Sequence, residues 1–236
     1  MESFRFLEPL IYSRAESKIH NLGSDRMIKA EMDSIIFDLD GTLWDSIDTV
    51  LLAWNKSIQN FPELNKVLTR TDLEGTMGLQ MHDISKKLFP SLDEDLSKKL
   101  IEDWGVKEQY YLKQQGGQLY SNLEHVLKEL SKKYKLFIVS NCQEGYIEAF
   151  FSYHQLDKYF MDFENPGRTG LSKGENINLV IKRNSLKQPV YVGDTEGDMK
   201  AARYAGVPFV YARYGFGKVQ EHDFVIDELM DLLKLF

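Results

Sequence analysis

The pattern of hydrophobic positions changes its period along the chain, and these changes predict an α/β protein. Short apolar runs without alternation are typical of strands that are buried on both faces. The first such run, at 34–37, contains Ile35, Ile36 and Phe37 and ends in two carboxylates and a glycine. Five similar runs predict strands at 136–139, 160–163, 190–192, 209–211 and 224–226.

Helical periodicity separates these strands. After a possible N-cap at Asp45 or Ser46, apolar residues at spacings of three and four predict a helix over 47–58. Further helices are predicted at 64–73, 82–88, 96–112, 123–130, 144–152 and 228–235. The alternation of helix and strand after residue 121 predicts a parallel sheet. Right-handed crossovers would bring the carboxyl ends of its main strands to one edge.

The segment between the first two strands is too long for a simple crossover. Asp38 and Ser140 lie 102 positions apart, whereas a strand-helix-strand unit occupies roughly 30 residues. We therefore predict a helical insertion at 45–118 within a core formed by 27–44 and 119–236, preceded by an extension or leader at 1–26. Glycines near its ends are candidate hinges for a lid.

Composition narrows the class of protein. The 236 residues are 43% hydrophobic and 28% charged, as in globular proteins, and the net charge of −7 disfavours nucleic-acid and anionic-membrane partners. The single cysteine, Cys142, excludes an internal disulfide and is interpreted as a small filler residue. No apolar run approaches the roughly 20 residues of a membrane span. We expect a cytoplasmic monomer or homodimer.

Candidate chemistry begins where the first strand ends, at Asp38-Leu39-Asp40-Gly41-Thr42. Carboxylates that follow a parallel strand lie in the crevice where open α/β sheets bind ligands, and glycine allows a sharp turn there. The alternative is an ordinary turn, because Asp and Gly are common turn residues. Other segments must therefore decide between these interpretations.

Three downstream segments support the functional interpretation. They are Ser140-Asn141 after the run at 135–139, Lys173 within 170–175, and Asp194 and Asp198 after the run at 190–192. With Asp38-x-Asp40-Gly-Thr, these segments resemble the motifs of the haloacid dehalogenase superfamily, in the same order, from about residue 33 to the C-terminus. The phosphoglycolate phosphatase-like branch is the most similar. The resemblance implies a Rossmann-like parallel sheet with an α-helical C1 cap at 45–118.

The resemblance assigns the two acids of the first motif to catalysis. Asp38 would be the nucleophile and form an aspartyl-phosphate, which divides one difficult displacement into two easier ones. Asp40 would protonate the leaving alcohol and then activate water. Relatives that break carbon-halogen or carbon-phosphorus bonds lack an acid at the position of Asp40.

Two acids that face a phosphate also call for a hard cation, and Mg²⁺ binds carboxylates together with phosphate oxygens. By resemblance, Asp38, the Asp40 carbonyl and Asp194 would hold Mg²⁺. Asp198 would be an outer ligand or a partner of Lys173. Helix capping is the alternative role of Asp194 and Asp198, because 195–198 is itself a helix-start pattern.

Phosphate binding is predicted for Ser140, Asn141 and Lys173. We expect a helix to begin at Ser140, so that its hydroxyl and the following N–H groups could bind an anion. A capping box at 172–175 places Lys173 in a first helical turn, where a cation is unfavourable unless an anion lies nearby. The sequence has Gly174 where relatives commonly have proline.

Two smaller patterns accompany these motifs. The loop 214–217, Tyr-Gly-Phe-Gly, resembles a stretch of the phosphoglycolate phosphatase-like branch, although an ordinary glycine loop is the alternative. Isolated histidines are assigned to packing or surface roles. They are His82, His125, His154 and His222.

The sequence therefore predicts a Mg²⁺-dependent phosphatase that acts on a small phosphorylated metabolite, phosphoglycolate-like or a sugar phosphate. A phosphosugar mutase of the β-phosphoglucomutase type ranks lower, because the stretch 74–78 lacks the arginine of the substrate loop. A pyrophosphatase and a catalytically idle metabolite-binding protein are the remaining alternatives.

Overall fold

The computed structural model describes residues 32–236, so the predicted extension at 1–26 lies outside the described residues. Asp33–Phe236 forms one compact unit. Its strands are β1 (Ser34–Phe37), β2 (Trp44–Asp45), β3 (Gln118–Leu119), β4 (Lys135–Val139), β5 (Asp162–Glu164), β6 (Pro189–Gly193), β7 (Phe209–Ala212) and β8 (Phe224–Ile226). Its α-helices are α1 (Ile47–Ile58), α2 (Arg70–Glu74), α3 (Met81–Leu88), α4 (Glu94–Gln115), α5 (Leu123–Leu130), α6 (Tyr146–His154), α7 (Pro166–Thr169), α8 (Lys173–Arg183), α9 (Glu196–Ala205) and α10 (Leu232–Leu235).

The main sheet has six parallel strands in the order β5-β4-β1-β6-β7-β8. The first strand lies inside this sheet, and its Ile36 pairs with Phe137 on one side and Tyr191 on the other. All three side chains are fully buried, which explains why this strand has no polar alternation. The predicted α/β fold with a parallel sheet is confirmed.

Helices α1 to α4 are inserted between β1 and β4, as the chain length predicted. Strands β2 and β3 form an antiparallel pair where the insertion leaves and rejoins the chain. The two longest inserted helices, α1 and α4, pack on each other through Trp54 and Trp104, whose rings stack with centroids 4.3 Å apart. Among residues 32–236, no helix is long and apolar enough to cross a membrane.

The helix predicted at 64–73 is mostly wrong. Residues 70–74 alone are helical there, because a capping box at Thr69 and Asp72 starts the helix late. The preceding chain is held by α1, since the Asn55 side chain accepts from the Leu68 N–H at 2.8 Å and donates to the Leu68 carbonyl at 3.0 Å. This contact between distant segments replaces the helical hydrogen bonds that the apolar pattern suggested.

Other boundaries shift for local reasons. The strand predicted at 160–163 begins at Asp162, because the Phe160 N–H closes a 3₁₀ turn on the Asp157 carbonyl. The predicted C-terminal helix is divided into a 3₁₀ turn, Leu229–Asp231, and α10. Helix α6 begins at Tyr146, six residues after Ser140, so the expected helix start at Ser140 is wrong.

Candidate active site

Asp38 lies directly after β1, at the carboxyl edge of the sheet. Its N–H still bonds the Val192 carbonyl at 2.8 Å, which fixes the backbone, and its side chain is buried. The carboxylate accepts from Lys173 Nζ at 3.0 Å and from the Ser140 hydroxyl. Burial raises the pKa of Asp38 and nearby Asp198 raises it further, while Lys173 opposes both effects. A buried carboxylate at this edge can reach a bound ligand.

Lys173 is the first residue of α8, and the capping box of Ser172 and Glu175 is present as predicted. The lysine is buried and its ammonium contacts two carboxylates, Asp38 at 3.0 Å and Asp198 at 2.6 Å. These two anions explain how a cation is tolerated at a helix N-terminus, where the helix dipole disfavours it.

Asp198 has no free oxygen. One oxygen accepts from Lys173, and the other accepts from the N–H and the hydroxyl of Thr195 at 2.9 and 2.6 Å. Burial alone would raise the pKa of Asp198, but Lys173 and Thr195 hold it below its ordinary value. Asp198 therefore both caps α9 and pairs with Lys173, which combines two of the alternatives drawn from the sequence.

Asp194 differs from Asp198 because one of its oxygens is unpaired. Oδ2 accepts from the Phe216 N–H at 2.7 Å, whereas the buried Oδ1 has no hydrogen-bond partner among the described residues. Burial raises the pKa of Asp194, and Asp198 and Asp38 raise it further. Leaving a buried carboxylate oxygen unpaired is costly. A cation beside Oδ1 would remove this cost.

Asp38, Asp194 and Asp198 each offer a carboxylate oxygen within 4.8 Å of the others, so the three could surround a metal ion. Oxygen ligands of this kind suit Mg²⁺, and the unpaired oxygen of Asp194 is the observation that supports the fit. The carboxylate of Asp40 lies outside this cluster.

The loop 214–217 packs directly on Asp194. A Cβ added to Gly215 would lie 2.3 Å from the Cβ of Asp194, and one added to Gly41 would lie 2.2 Å from its Oδ2. Gly41 also has a φ of +77°, a conformation that other residues rarely adopt. Both glycines are therefore required so that two loops can enclose one carboxylate.

Asp40 is held by a separate group of donors. Its Oδ1 accepts from Trp44 Nε1 at 2.9 Å, from the Ser46 hydroxyl, and from the Tyr146 hydroxyl at 3.0 Å. Burial raises the pKa of Asp40, and these hydrogen bonds oppose that effect. The sequence suggested Asp45 or Ser46 as the N-cap of α1. Ser46 occupies the N-cap position but its hydroxyl bonds Asp40, whereas the Asp45 carboxylate accepts from the Ile47 N–H at 3.0 Å.

Asn141 connects the site to the helical insertion. Its Nδ2 donates to the carbonyl of Gly78, in the loop between α2 and α3, at 2.9 Å. Its Oδ1 is buried and has no partner among residues 32–236. Asn141 therefore joins the sheet edge to the helical insertion.

A cleft is lined by Asp40 and by residues of the helical insertion, among them Trp54 and Glu108. Trp54 donates its indole N–H to Glu108, and Tyr146 forms part of the wall. Burial raises the pKa of Glu108 to about 8; the Trp54 hydrogen bond opposes this effect and Asp40 adds to it. Cys142, buried and free, also lines the cleft.

Sequence reasoning missed the residues that position Asp40 and form this cleft. Trp44, Ser46 and Tyr146 carry no motif of their own. Glu108 does leave a signal in the sequence, because it is an acidic residue at a position where the four-residue spacing of α4 predicts an apolar one. The apolar residues with this spacing are Leu100, Trp104 and Leu112, and all three are buried, as is Glu108.

The chain combines a parallel sheet, acids at the carboxyl edge of that sheet and helices inserted after its first strand, and one family of hydrolases matches it. The family model described as haloacid dehalogenase-like hydrolase matches residues 35–212. The chain belongs to this family.

The individual proteins that this chain resembles have sequence identities below 30%. The chain is 27% identical over 228 residues to a phosphoglycolate phosphatase of Vibrio parahaemolyticus, a match that covers 89% of this chain and 98% of that protein. It is 28% identical to a phosphoglycolate phosphatase of Aquifex aeolicus, with 86% and 96% covered. A crystal structure of a predicted phosphoglycolate phosphatase from Haemophilus somnus has a TM-score of 0.76 at 23% identity, with 87% and 98% covered.

Proposed function

We propose that this family member is a Mg²⁺-dependent phosphatase that hydrolyses a small phosphomonoester through an aspartyl-phosphate at Asp38. The chain is a phosphoric monoester hydrolase of the haloacid dehalogenase-like family, and we propose in addition that it uses Mg²⁺ and an aspartyl-phosphate intermediate. The observation that carries it is the unpaired Oδ1 of Asp194 beside the buried carboxylate of Asp38. A cation and a phosphate between them would satisfy both groups.

We assign the metal to Asp38, Asp194 and the carbonyl of Asp40. Asp198 is assigned to Lys173, because both of its oxygens already accept hydrogen bonds. When bound, Mg²⁺ would withdraw charge from the phosphate oxygens and reduce their repulsion of the carboxylates.

The reaction then has two displacements. A carboxylate oxygen of Asp38 attacks phosphorus, the bond from phosphorus to the ester oxygen breaks, and Asp40 gives its proton to the leaving alkoxide. Asp40 next takes a proton from water, which attacks the same phosphorus and releases inorganic phosphate and the Asp38 carboxylate. The raised pKa of Asp40 favours its first role, because a buried acid keeps its proton more easily.

Phosphate binding is assigned to Lys173, Ser140 and Asn141. Lys173 supplies the positive charge at the site, and Ser140 adjoins Asp38 through its hydroxyl. The substrate is a small phosphorylated metabolite, and phosphoglycolate and sugar phosphates are the first members of that class to assay. A cytoplasmic location remains a prediction from the sequence.

The test measures phosphate release with and without Mg²⁺ from phosphoglycolate, sugar phosphates, nucleotides and pyrophosphate. Asp38→Asn should abolish release, whereas Asp95→Asn, a matched change on the exposed face of α4, should leave it intact. Mass spectrometry after acid quenching should find a phosphoryl group on Asp38. Undiminished release by Asp38→Asn would refute the nucleophile assignment. Interconversion of sugar phosphates in place of release would favour the mutase.

A further inference from the structure

The cleft between Asp40 and Glu108 is the space into which a leaving group would extend. Asp40 is the proposed proton donor to the ester oxygen, so the remaining atoms of the alcohol lie on its side of the phosphate. Tyr146, Trp54 and Glu108 line the same cleft as Asp40. The residues of this cleft therefore decide which alcohols are accepted.

The charges that line the cleft are all acidic. Asp40 and Glu108 carry its two carboxyl groups, and neither Lys nor Arg is among its lining residues within 32–236. The adjoining cavity, which Asn141 and Gln143 also line, has no Lys or Arg in its described lining, and the basic side chain there is that of His82. Lys173 is already bound to two carboxylates on the phosphate side. A carboxylate that enters the cleft would find no cation to pair with, and burying an unpaired charge is costly.

Two neighbouring groups respond to this acidic environment. Burial raises the pKa of Tyr146, and Asp40 and Glu108 raise it further. The pKa of Cys142 is likewise raised by burial first and then by Asp40 among the surrounding carboxyl groups. In both cases burial is the larger cause, and the neighbouring acids add to it.

The carboxyl group of Glu108 is held in place by a neighbouring indole. It is buried on α4, and the indole N–H of Trp54 donates to its Oε1. Trp54 is itself fixed by stacking on Trp104, with an interplanar angle of 14°. Burial raises the pKa of Glu108 to about 8, so an ammonium ion that binds here would displace this proton to solvent and pair with the resulting carboxylate through a charge-assisted hydrogen bond.

We propose that the site selects phosphomonoesters whose leaving alcohol carries a cationic amine, with Glu108 as the residue that determines this specificity. The inference rests on the proposed phosphatase function and adds the charge of the leaving group. It predicts that phosphoglycolate, the substrate in the names of several relatives, is a poor substrate for this chain. That ester would bring a carboxylate into the cleft that Asp40 and Glu108 line.

The test uses three esters of similar size that differ in their terminal group: 2-aminoethyl phosphate, 2-hydroxyethyl phosphate and phosphoglycolate. The corresponding four-carbon esters are included because they reach further from the phosphate. With Mg²⁺ at pH 7, kcat/KM should decrease from the amine to the hydroxyl to the carboxylate. We expect a ratio of about tenfold or more between the amine and the carboxylate, the effect of one charge-assisted hydrogen bond.

Glu108→Gln tests the assigned residue, since glutamine preserves the shape and still accepts from Trp54. The amine-to-carboxylate ratio should fall about tenfold, chiefly through a higher KM for the amine esters. Glu102→Gln, the same change at an exposed position of α4, should leave the ratio unchanged. Circular dichroism of both variants would show that they are folded.

A preference for the carboxylate esters, or a ratio that Glu108→Gln does not alter, would overturn the inference. If no ester is hydrolysed, the proposed phosphatase function is wrong, and the preference for amines is then tested by measuring binding. Calorimetry of the Mg²⁺-loaded protein should then give a lower Kd for the amine esters than for phosphoglycolate. Equal or tighter binding of phosphoglycolate would reject the specificity.

Discussion

Four buried or partly buried acids meet at one sheet edge, and their hydrogen-bond partners give them different roles. Asp198 has both oxygens bonded, Asp194 has one, and Asp40 collects three donors on a single oxygen. Asp38 faces Lys173. Their residue type is the same, so the differences arise from neighbours that the fold supplies.

Tyr146 is expected to position Asp40, because its hydroxyl donates to Asp40 at 3.0 Å and lies 2.8 Å from the Ser46 hydroxyl. Tyr146→Phe removes the hydroxyl and keeps the ring. A hydrogen bond of about 1 kcal/mol corresponds to a decrease of about fivefold in kcat. Tyr134→Phe is the matched control, since that hydroxyl bonds the Phe236 carbonyl at the end of the chain. Equal kcat in both variants would contradict the positioning role.

Gly215 is predicted to be irreplaceable because of space rather than backbone conformation. In Gly215→Ala the new Cβ would lie 2.4 Å from the Gly41 carbonyl and 2.3 Å from the Asp194 Cβ, so Asp194 must move. We expect the Mg²⁺ concentration for half-maximal activity to rise about tenfold or more, as when a metal ligand loses its support. Gly75→Ala, whose nearest neighbour would be 3.5 Å away, should behave as wild type. An unchanged Mg²⁺ requirement in Gly215→Ala would remove Asp194 from the metal site.

Among the elements, strands β1, β4, β6, β7 and β8 were the most predictable, because each is largely apolar, whereas β5 reads Asp-Phe-Glu and its predicted bounds were shifted. Asp38 and Lys173 could be located from sequence, since parallel strands and a capping box fix where such residues lie. The conformation of the segment at 64–68 could not be predicted from its own sequence, because Asn55 of α1 bonds the backbone of Leu68. Tyr146 could not either, since it is 106 positions from Asp40 and meets it only in the folded chain.

The loop between α2 and α3 joins the insertion to the core at two points. Gly78 accepts from Asn141, and a Cβ added to Gly78 would lie 3.0 Å from the Thr195 hydroxyl. Gly78→Ala should therefore lift the loop and lower kcat/KM about fivefold or more, the effect of losing one hydrogen bond of about 1 kcal/mol. Its φ of +79° adds strain of roughly 1 kcal/mol.

Gly206→Ala is the control for Gly78→Ala, because it introduces similar backbone strain without a new side-chain contact. Gly206 has a similar φ of +70° at the end of α9, but an added Cβ would meet nothing within 4 Å. Both variants should lose similar stability in urea, whereas Gly78→Ala alone should lose activity. Parallel losses of activity in the two variants would show that the loop contact does not matter.

At the scale of the whole molecule, the buried Glu108 is expected to make the free energy of unfolding depend on pH. The pKa of its carboxyl rises from 4.5 to about 8 when burial removes it from water. The folded protein thus binds this proton more tightly than the unfolded chain, so a rise in pH favours unfolding. The stabilising contribution of the protonated group is complete below about pH 4.5 and is lost as the pH rises to about 8.

Urea unfolding of the wild type and Glu108→Gln across this range measures the effect, because glutamine does not titrate. The free energy of unfolding of the wild type, relative to the variant, should decrease with a slope of at most about 1.4 kcal/mol per pH unit. Glu102→Gln, exposed on the same helix, should follow the wild type at every pH. A flat difference between wild type and Glu108→Gln would mean that Glu108 is ionised in the folded protein. In that case Glu108 would already carry the negative charge that an amine requires, without having to lose a proton on binding.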